Sequence, residues 1–340
     1  MDIIQQESIH TLKALTQSAA KVAVVGHTHP DGDALGATTG LALALLSRGK
    51  KDVCCVFSDT PADNLQFILS PEVTYLFQDR NAEKAEACIR EADLVFLLDC
   101  NAFDRTEGLK DALEASSARK ILIDHHLNPD RSRFDAAFST PEISSASELL
   151  YWVLKALEWD VTLPVGTALL TGMTTDTNNF ANSVYPSTFR MASELIAAGV
   201  DRDALLQKIY SSYRENRVRL MGYMQYEGLR LLPGGGAYMI LTRDIQRRFD
   251  LREGESEGLV NVPLTIGAVR LSLLLKEDEG HFRVSIRSRK GTSAQALAQR
   301  YFHGGGHENA SGGKLFIGPD IASPQEAATF VENALKDFLK

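Results

Sequence analysis

Two short segments combine histidines with aspartates, and each follows an apolar run that is typical of a buried strand. They supply His27, Asp31 and Asp33 after KVAVV, and Asp124, His125 and His126 after KILI. Two single aspartates stand in comparable places, Asp99 after LVFLL and Asp176 after an apolar helical run. Imidazoles and carboxylates together bind divalent cations or transfer protons. The sequence therefore predicts a cluster of such groups.

The elements that must position these side chains alternate between short β-rich runs and helical patterns from residue 1 to about residue 138. Such alternation predicts an α/β fold with a parallel sheet and helices on both faces. The runs VAVV, LVFLL and ILI lack polar alternation, as central strands covered on both faces do. Because ligands bind at the carboxyl ends of parallel strands, we expect the aspartates and histidines to converge there.

A converged cluster of aspartates is electrostatically costly unless cations balance it. The carboxylates of Asp31, Asp33, Asp99 and Asp176 balance the charge of two divalent ions. Oxygen and imidazole ligands without thiolate favour Mn²⁺ or Mg²⁺, and we expect Mn²⁺ because it accepts imidazole more readily. A structural reading of each piece alone remains open, since Asp often caps a helix or closes a turn.

The composition changes near Pro233, where a turn, several strands and a glycine-rich segment follow a long polar helix. This pattern predicts a smaller α+β domain. We place the boundary inside the polar helix, with domains at 1–215 and 216–340, the second including part of the linker helix. On an alternating strand, Arg283, Arg287 and Arg289 of RVSIRSRKG share one face.

Bulk composition narrows the class of protein. The 340 residues are 44% hydrophobic and 24% charged, which is ordinary for a folded globular chain. A net charge of −8 argues against coating long double-stranded nucleic acid. No signal peptide or membrane span is evident, and four cysteines without C-x-x-C spacing predict buried reduced thiols and a cytoplasmic location. A homodimer is possible, although no interface can be identified from periodicity.

The order HxxxDxD, single Asp, DHH and a further Asp resembles the DHH phosphoesterase superfamily. The segment GGGHENASGG looks like the glycine-rich part of the DHH-associated domain. The two-domain layout is most similar to the branch of bifunctional oligoribonucleases and pAp phosphatases, also called nanoRNases. The resemblance implies an N-terminal catalytic domain, a C-terminal substrate-binding domain and an active-site cleft between them.

The resemblance also implies roles for individual residues. One metal would be held by His27, Asp31 and Asp99, and a second by Asp33, Asp99, His125 and Asp176. Asp99, Asp124 and His126 would be catalytic: Asp99 as the bridge, Asp124 by orienting a metal-bound imidazole, and His126 by contacting the phosphate. Substrate binding would fall to Arg287, Gly304, Gly305, Gly306 and His307. His29 and His303 receive no role.

The function implied is hydrolysis of oligoribonucleotides of two to five nucleotides to nucleoside 5′-monophosphates, and of pAp to AMP. Water activated between the two metals would attack in line. The alternatives are a phosphodiesterase for linear or cyclic dinucleotides, a pyrophosphatase or exopolyphosphatase, and a catalytically silent nucleotide sensor. A processive exonuclease for single-stranded DNA is disfavoured by the negative net charge.

Overall fold

The computed structural model describes residues 5–340. The chain divides into two compact units, Met1–Ser212 and Tyr213–Lys340. The division falls a few residues before the boundary expected between residues 215 and 216.

The first unit is built on a fully parallel sheet of six strands. The strands are β1 (Lys21–Val25), β2 (Asp52–Phe57), β3 (Thr74–Phe77), β4 (Leu94–Leu98), β5 (Arg119–Asp124) and β6 (Ala136–Ser139). Their spatial order is β3-β2-β1-β4-β5-β6, with every neighbouring pair parallel. The expected parallel α/β fold is confirmed, and the edge strands β3 and β6 complete it.

Helices cover both faces of this sheet, as the sequence predicts. They are α1 (Gln6–Ser18), α2 (Gly32–Ser47), α3 (Gln78–Glu91), α4 (Lys110–Ala115), α5 (Ala146–Ala156), α6 (Leu163–Asp176), α7 (Pro186–Ala197) and α8 (Arg202–Tyr210). Alternate residues of β1 enter two separate cores. Val22 and Val24 pack with α2, α5 and α6, whereas Ala23 and Val25 pack with α3 and α4. Burial on both faces explains why β1 shows no polar alternation.

The strand order reverses direction between β1 and β4. The chain runs outward from β1 to β2 and β3, then returns to place β4 on the other side of β1. Loops leaving β1 and β4 therefore diverge to opposite faces and open a crevice at their carboxyl ends. His27 and Asp99 lie just beyond these two strand ends.

The second unit has a mixed sheet in the order β11-β12-β10-β9-β8-β7. Its strands are β7 (Arg230–Leu232), β8 (Gly236–Leu241), β9 (Leu271–Glu277), β10 (His281–Ser288), β11 (Gly305–Gly306) and β12 (Ala310–Phe316). Its helices are α9 (Glu215–Tyr223), α10 (Arg243–Arg248), α11 (Ala294–Tyr301) and α12 (Ala327–Phe338). Only the β8–β9 pair is parallel, and the expected α+β class is confirmed.

The prediction of a single long linker helix near the boundary is wrong. Helix α8 ends at Tyr210 and α9 begins at Glu215, with non-helical residues between them. The intervening Ser211 and Ser212 explain the break, because serine hydroxyls compete for backbone groups, and Ser212 Oγ donates to the Lys208 carbonyl at 2.5 Å. After α9 a π-helical turn spans Met224–Gly228.

The cysteine expectation also needs correction. Cys54 on β2 and Cys88 on α3 form a disulfide, whereas Cys55 and Cys100 are buried free thiols. Burial raises the pKa of the Cys100 thiol to about 12, which makes it a poor nucleophile. The cytoplasmic location stays a prediction, without the support of four reduced cysteines. Within residues 5–340, no helix combines the length and apolar character that crossing a bilayer requires.

Candidate metal centre

The first group of candidate ligands joins the loop after β1 to the end of β4. His27 Nε2 lies 3.7 Å from Asp31 Oδ1 and 3.4 Å from Asp99 Oδ2. His27 Nδ1 lies 2.7 Å from the carbonyl oxygen of Thr28. Because a carbonyl only accepts, Nδ1 donates to it, and Nε2 is the ring atom that faces the two carboxylates. With Nδ1 engaged in this way, Nε2 is the atom left for a metal ion.

Asp31 and Asp33 are fixed by the ends of two helices. Asp31 is the N-cap of α2, and its Oδ1 accepts from the amides of Asp33 and Ala34 at 3.0 and 3.1 Å. Asp33 is buried and accepts at 2.7 and 3.0 Å from the amides of Ala146 and Ser147 in the first turn of α5. Helix N-terminal amides stabilise a carboxylate, so both acids are held in place without a cation.

The second group contains Asp33, His125 and Asp176. His125 Nε2 lies 4.0 Å from Asp33 Oδ2 and 3.7 Å from Asp176 Oδ2. Asp176 is the last residue of α6, and α6 lies very close to α2 and α5. The close approach depends on Gly172, where a Cβ atom would come within 2.1 Å of Ser147 Oγ and 2.9 Å of Asp33 Oδ1. Glycine on α6 therefore brings Asp176 to the sheet edge.

Asp99 is shared by the two groups. Its Oδ2 faces His27, while its Oδ1 lies 3.3 Å from His125 Nε2. The backbone of Asp99 has φ +54°, a conformation that few non-glycine residues adopt, and its amide donates to the Ile123 carbonyl at 3.0 Å. Strain of this kind is concentrated at functional sites. The turn aims the carboxylate between the two histidines.

Asp124 and His126 form a third contact beside the groups. Asp124, fully buried at the end of β5, accepts from His126 Nδ1 at 2.7 Å and from the His126 amide at 3.0 Å. The resemblance implied that Asp124 orients a metal-bound imidazole, and the ring that it contacts is that of His126, whose ligand atom lies within 4.8 Å of those of Asp99 and His125. His126 Nδ1 also lies 3.6 Å from Asp99 Oδ1.

Sequence reasoning missed one residue of this cluster. Arg105, in the 3₁₀ segment Phe103–Leu109, places Nη1 2.8 Å from His126 Nε2. No periodicity marks this position. The available signal was its place in the loop after Asp99, on the edge of the sheet where ligands bind.

The acids carry a surplus of negative charge that a cation would relieve. Burial and the charges of Asp99 and Asp176 raise the pKa of Asp33 well above its usual range. Burial and the charge of Asp99 raise the pKa of Asp176 to about 7. Burial opposes protonation of His125, yet its hydrogen bond to Asp99 raises the His125 pKa to about 10. Protons here occupy positions that metal ions would take.

The residues present fit a metal centre. Ligand atoms of His27, Asp31 and Asp99 lie within 4.8 Å of one another, and so do those of Asp33, His125 and Asp176. The buried Asp99 Oδ1 faces the ring nitrogens of His125 and His126 at 3.3 and 3.6 Å, and a buried carboxylate oxygen in this position needs a cation beside it, either a protonated ring or a metal ion. Oxygen and imidazole donors without thiolate suit a hard or borderline divalent ion.

In the second unit, the arginines expected to share a face differ in their partners. Arg283 pairs with Glu253 at 3.0 Å and with Asp278 at 3.3 Å. Arg289 donates to the Leu264 carbonyl at 2.7 Å. Arg287 donates to the carbonyl of its neighbour Ile286 at 3.0 Å, and burial lowers the pKa of its guanidinium. Among residues 5–340, no carboxylate forms an ion pair with Arg287.

Next to Arg287, the neighbouring strands β12 and β11 carry few side chains on the face that they share with it. Arg287 is paired with Ala310 across β10 and β12, and Gly305 of β11 is paired with Gly312 of β12. Since register partners share a face, the guanidinium borders a strip of backbone. A flat ligand can approach such a strip closely.

The expected glycine cradle is partly engaged in the fold. Gly304 N–H donates to the Ala298 carbonyl at 3.2 Å, and His307 N–H donates to the Ala310 carbonyl at 2.8 Å. A Cβ at Gly304 would meet the Gly312 carbonyl oxygen at 2.0 Å, so this position requires glycine. Gly306 has φ +138°. The Gly304 amide caps the end of α11 and the His307 amide closes the turn between β11 and β12, so both are used within the fold.

His29 and His303 have partners outside the clusters. His29 Nδ1 lies 3.6 Å from Asp59 Oδ2, and the His29 amide donates to the same oxygen at 2.7 Å. His303 Nε2 lies 3.0 Å from Asp320 Oδ1, and its ring contacts Phe316 edge-on at 5.4 Å. Both histidines therefore have local structural contacts.

Comparison with known proteins agrees with this geometry. Residues 21–175 match the DHH family, N-terminal domain, and residues 237–339 match the DHHA1 domain. The crystal structure of an exopolyphosphatase-related protein from Bacteroides fragilis is 36% identical and superposes with a TM-score of 0.93, covering 100% of this chain and 98% of that chain.

The chain belongs to the DHH family of phosphoesterases. DHH-family relatives include the bifunctional oligoribonuclease and PAP phosphatase NrnA of Thermus thermophilus, 29% identical over 86% of this chain and 83% of the relative. A probable NrnA of Streptococcus mutans is 27% identical over 96% of this chain and 98% of the relative. DHH phosphoesterases are metal-dependent, in keeping with the ligand groups described above.

Proposed function

We propose that this DHH phosphoesterase hydrolyses oligoribonucleotides of two to five nucleotides to nucleoside 5′-monophosphates and removes the 3′-phosphate of pAp. The observation that carries the proposal is the shared Asp99, whose two oxygens face His27 and His125 at 3.4 and 3.3 Å. The substrate class is supported by the NrnA relatives, which match over most of their length.

The proposed metal ligands follow from the two groups. His27, Asp31 and Asp99 would hold one ion, and Asp33, Asp99, His125 and Asp176 would hold the second, with Mn²⁺ preferred over Mg²⁺. When bound, two such ions supply a water of lowered pKa and positive charge for the attacking and leaving oxygens.

The protein's own groups prepare the site for this chemistry. The Thr28 carbonyl fixes the His27 ring, and the first turn of α5 fixes the Asp33 carboxylate. Preorganised ligands of this kind need no rearrangement during the reaction. The buried thiol of Cys100 is held protonated, so we assign it no nucleophilic role.

Substrate binding in the second unit is assigned to Arg287 and the strip of backbone beside it. A guanidinium without a carboxylate partner attracts a phosphate or a nucleobase edge. Gly305 keeps the strip free of side chains, since nothing lies within 4 Å of where its Cβ would be. Gly304, Gly306 and His307 shape the adjoining hairpin.

The proposal is tested by incubating the purified full chain and Mn²⁺ separately with a diribonucleotide, pAp, cyclic di-AMP and pyrophosphate. We expect nucleoside 5′-monophosphates from the diribonucleotide and AMP from pAp. Turnover of pyrophosphate alone would replace the proposal with a pyrophosphatase. Preferred cleavage of cyclic di-AMP would favour a dinucleotide phosphodiesterase. Tight nucleotide binding without turnover of any substrate would favour a sensor.

A further inference from the structure

Arg105 places a permanent positive charge at the edge of an acidic cluster. Its Nη1 donates to His126 Nε2 at 2.8 Å, and its side chain is partly buried. Among residues 5–340, no carboxylate forms an ion pair with this guanidinium. The charge of this partly buried guanidinium is therefore not balanced by a direct acidic partner.

The chemistry of the two partners fixes the direction of the hydrogen bonds through His126. A guanidinium can only donate, so His126 Nε2 accepts from Arg105. His126 Nδ1 must then carry the ring proton, which it donates to Asp124 Oδ1 at 2.7 Å. Arg105 therefore donates to His126, and His126 donates to Asp124, so that the carboxylate fixes the ring and the ring fixes the guanidinium.

The backbone of Arg105 is held as firmly as its side chain. The Thr28 amide donates to the Arg105 carbonyl at 2.8 Å, which ties the segment after β4 to the loop that carries His27. The Arg105 amide donates to the Ala102 carbonyl at 3.2 Å. Arg105 is thus anchored to both segments that supply the ligands of the first group.

The charge balance of the site indicates what Arg105 binds. Four carboxylates and two divalent ions cancel, which leaves the negative charge of an incoming phosphate for another cation to balance. A guanidinium has five N–H donors in a planar fork and binds phosphate oxygens with charge-assisted hydrogen bonds. The His126 contact orients this fork and uses one of its donors.

We propose that Arg105 contacts a non-bridging oxygen of the phosphate that is hydrolysed, and that Asp124 and His126 position Arg105 for this contact. The inference rests on the proposed phosphoesterase function and extends it to a further substrate-binding residue. It also changes the role implied for His126. Because Arg105 occupies His126 Nε2, His126 acts on the substrate through the guanidinium.

The experiment compares Arg105→Gln and Arg105→Lys with the control Arg119→Gln in the full chain with Mn²⁺. Arg119 lies at the opposite end of β5, is exposed and pairs with Asp135. Arg105→Gln should lower kcat/KM for the diribonucleotide and for pAp about 10- to 100-fold, the range expected for one charge-assisted hydrogen bond. Arg105→Lys should recover part of the loss, and Arg119→Gln should match the wild type.

Two further readouts separate phosphate contact from a structural role. The inhibition constant for AMP should rise in Arg105→Gln, while the number of Mn²⁺ ions bound in calorimetry should stay that of the wild type. The double variant His126→Gln, Arg105→Gln should lose no more activity than Arg105→Gln alone, because His126 acts through the arginine.

The outcomes also distinguish this inference from the proposed function. If the wild type turns over the substrates and Arg105→Gln equals Arg119→Gln, the role of Arg105 is wrong while the phosphoesterase assignment stands. Losses in the two single variants that multiply in the double variant would overturn the positioning role of His126. If the wild type hydrolyses none of the phosphoesters, the proposed function itself fails. If Arg105→Gln does not fold, Arg105→Lys tests the inference in its place. Lysine lacks the planar fork that His126 orients, so wild-type kinetics in Arg105→Lys would contradict the proposed contact.

Discussion

The charged side chains of the two units differ in how far neighbouring charges balance them. In the first unit, acids are gathered at one sheet edge, and burial together with mutual repulsion raises the pKa of Asp33 and Asp176. In the second unit, most cations are satisfied within the fold, as Arg283 is by Glu253 and Asp278. Arg287, on the same strand, has no carboxylate partner among residues 5–340 and donates to the Ile286 carbonyl. The first unit therefore has a deficit of cations, and in the second unit the guanidinium of Arg287 is available for an anion.

This difference shows how a site can be told from a charged surface. Paired charges on an exposed strand contribute little and need no ligand. A buried charge without a compensating partner lowers the stability of the fold, and such charges are found where a bound ligand balances them. By this criterion Asp33, Asp176 and Arg287 are functional candidates, whereas Arg283, although on the same strand as Arg287, is structural.

The largest effect is expected from Asp99→Asn, because it weakens both ligand groups together. Loss of an outer hydrogen-bond partner alone costs about 10- to 100-fold, so loss of a shared ligand should lower turnover of every substrate by more than about 100-fold. Calorimetry with Mn²⁺ should show fewer bound ions. The control is Asp52→Asn, an exposed acid at the opposite end of the sheet. Unchanged metal binding in Asp99→Asn would contradict the shared ligand.

The next effect separates the two arginines of β10. Arg287→Gln should raise KM for short RNA and pAp by about 10-fold or more, since it removes a charge-assisted contact, with a smaller change in kcat. Arg283→Gln should change KM less than about threefold, because this guanidinium is already paired. Steady-state kinetics of both variants test the contrast, and equal effects would remove it.

A smaller effect is expected where a methyl group is added to the bare strip. Gly305→Ala meets no atom within 4 Å, so the fold should tolerate it, whereas Gly304→Ala would clash with the Gly312 carbonyl. Gly305→Ala should raise KM about fivefold, the low end of the cost of an unaccommodated methyl. Melting curves and kinetics together decide the matter. A wild-type KM in stable Gly305→Ala would show that substrate does not use the strip.

The smallest effect concerns the paired charges of the second unit. Burial opposes ionisation of Glu253, but Arg283 and Lys276 outweigh it and lower the Glu253 pKa to about 2 from 4.5. A lowered pKa stabilises the fold above about pH 4.5, and this contribution is lost as pH falls towards 2. The Glu253 side chain is 62% exposed, so the contribution is discounted to no more than about 1 kcal/mol.

Glu253→Gln should therefore speed hydrogen exchange in β9 and β10 at pH 7, and the difference from the wild type should shrink at pH 3. Lys336→Gln, at another exposed ion pair of the second unit, is the control. A difference that grows towards pH 3 would have the wrong sign for a lowered pKa.

Much of the fold could be predicted because its strongest signals are local. Uniformly apolar strands such as Leu94–Leu98 indicate burial on both faces, and their alternation with helices indicates a parallel sheet. The short edge strands β3 and β6 lack such a signal. The break between α8 and α9 was missed because helical periodicity continues on both sides of Ser211 and Ser212.

The candidate site was predictable in its membership and less so in its contacts. Aspartates and histidines at strand ends stand out, since polar groups beside buried strands need partners. Arg105 lies in a polar loop and has no such contrast. Which of the two adjacent histidine rings Asp124 contacts could not be predicted, because adjacent side chains point in different directions, and the structure shows that it is His126 at 2.7 Å.

By itself, the sequence determined which groups stand at the strand ends and that these ends share one edge of a sheet. Only the tertiary structure decided that Asp99 lies between His27 and His125, that α6 brings Asp176 beside Asp33, and that Arg283 is paired while Arg287 is not. The physical reason is the distance along the chain over which each signal acts. Strand and helix periodicity acts over a few residues, whereas these contacts join positions far apart in the chain, through strand order and the close packing of α2 against α6.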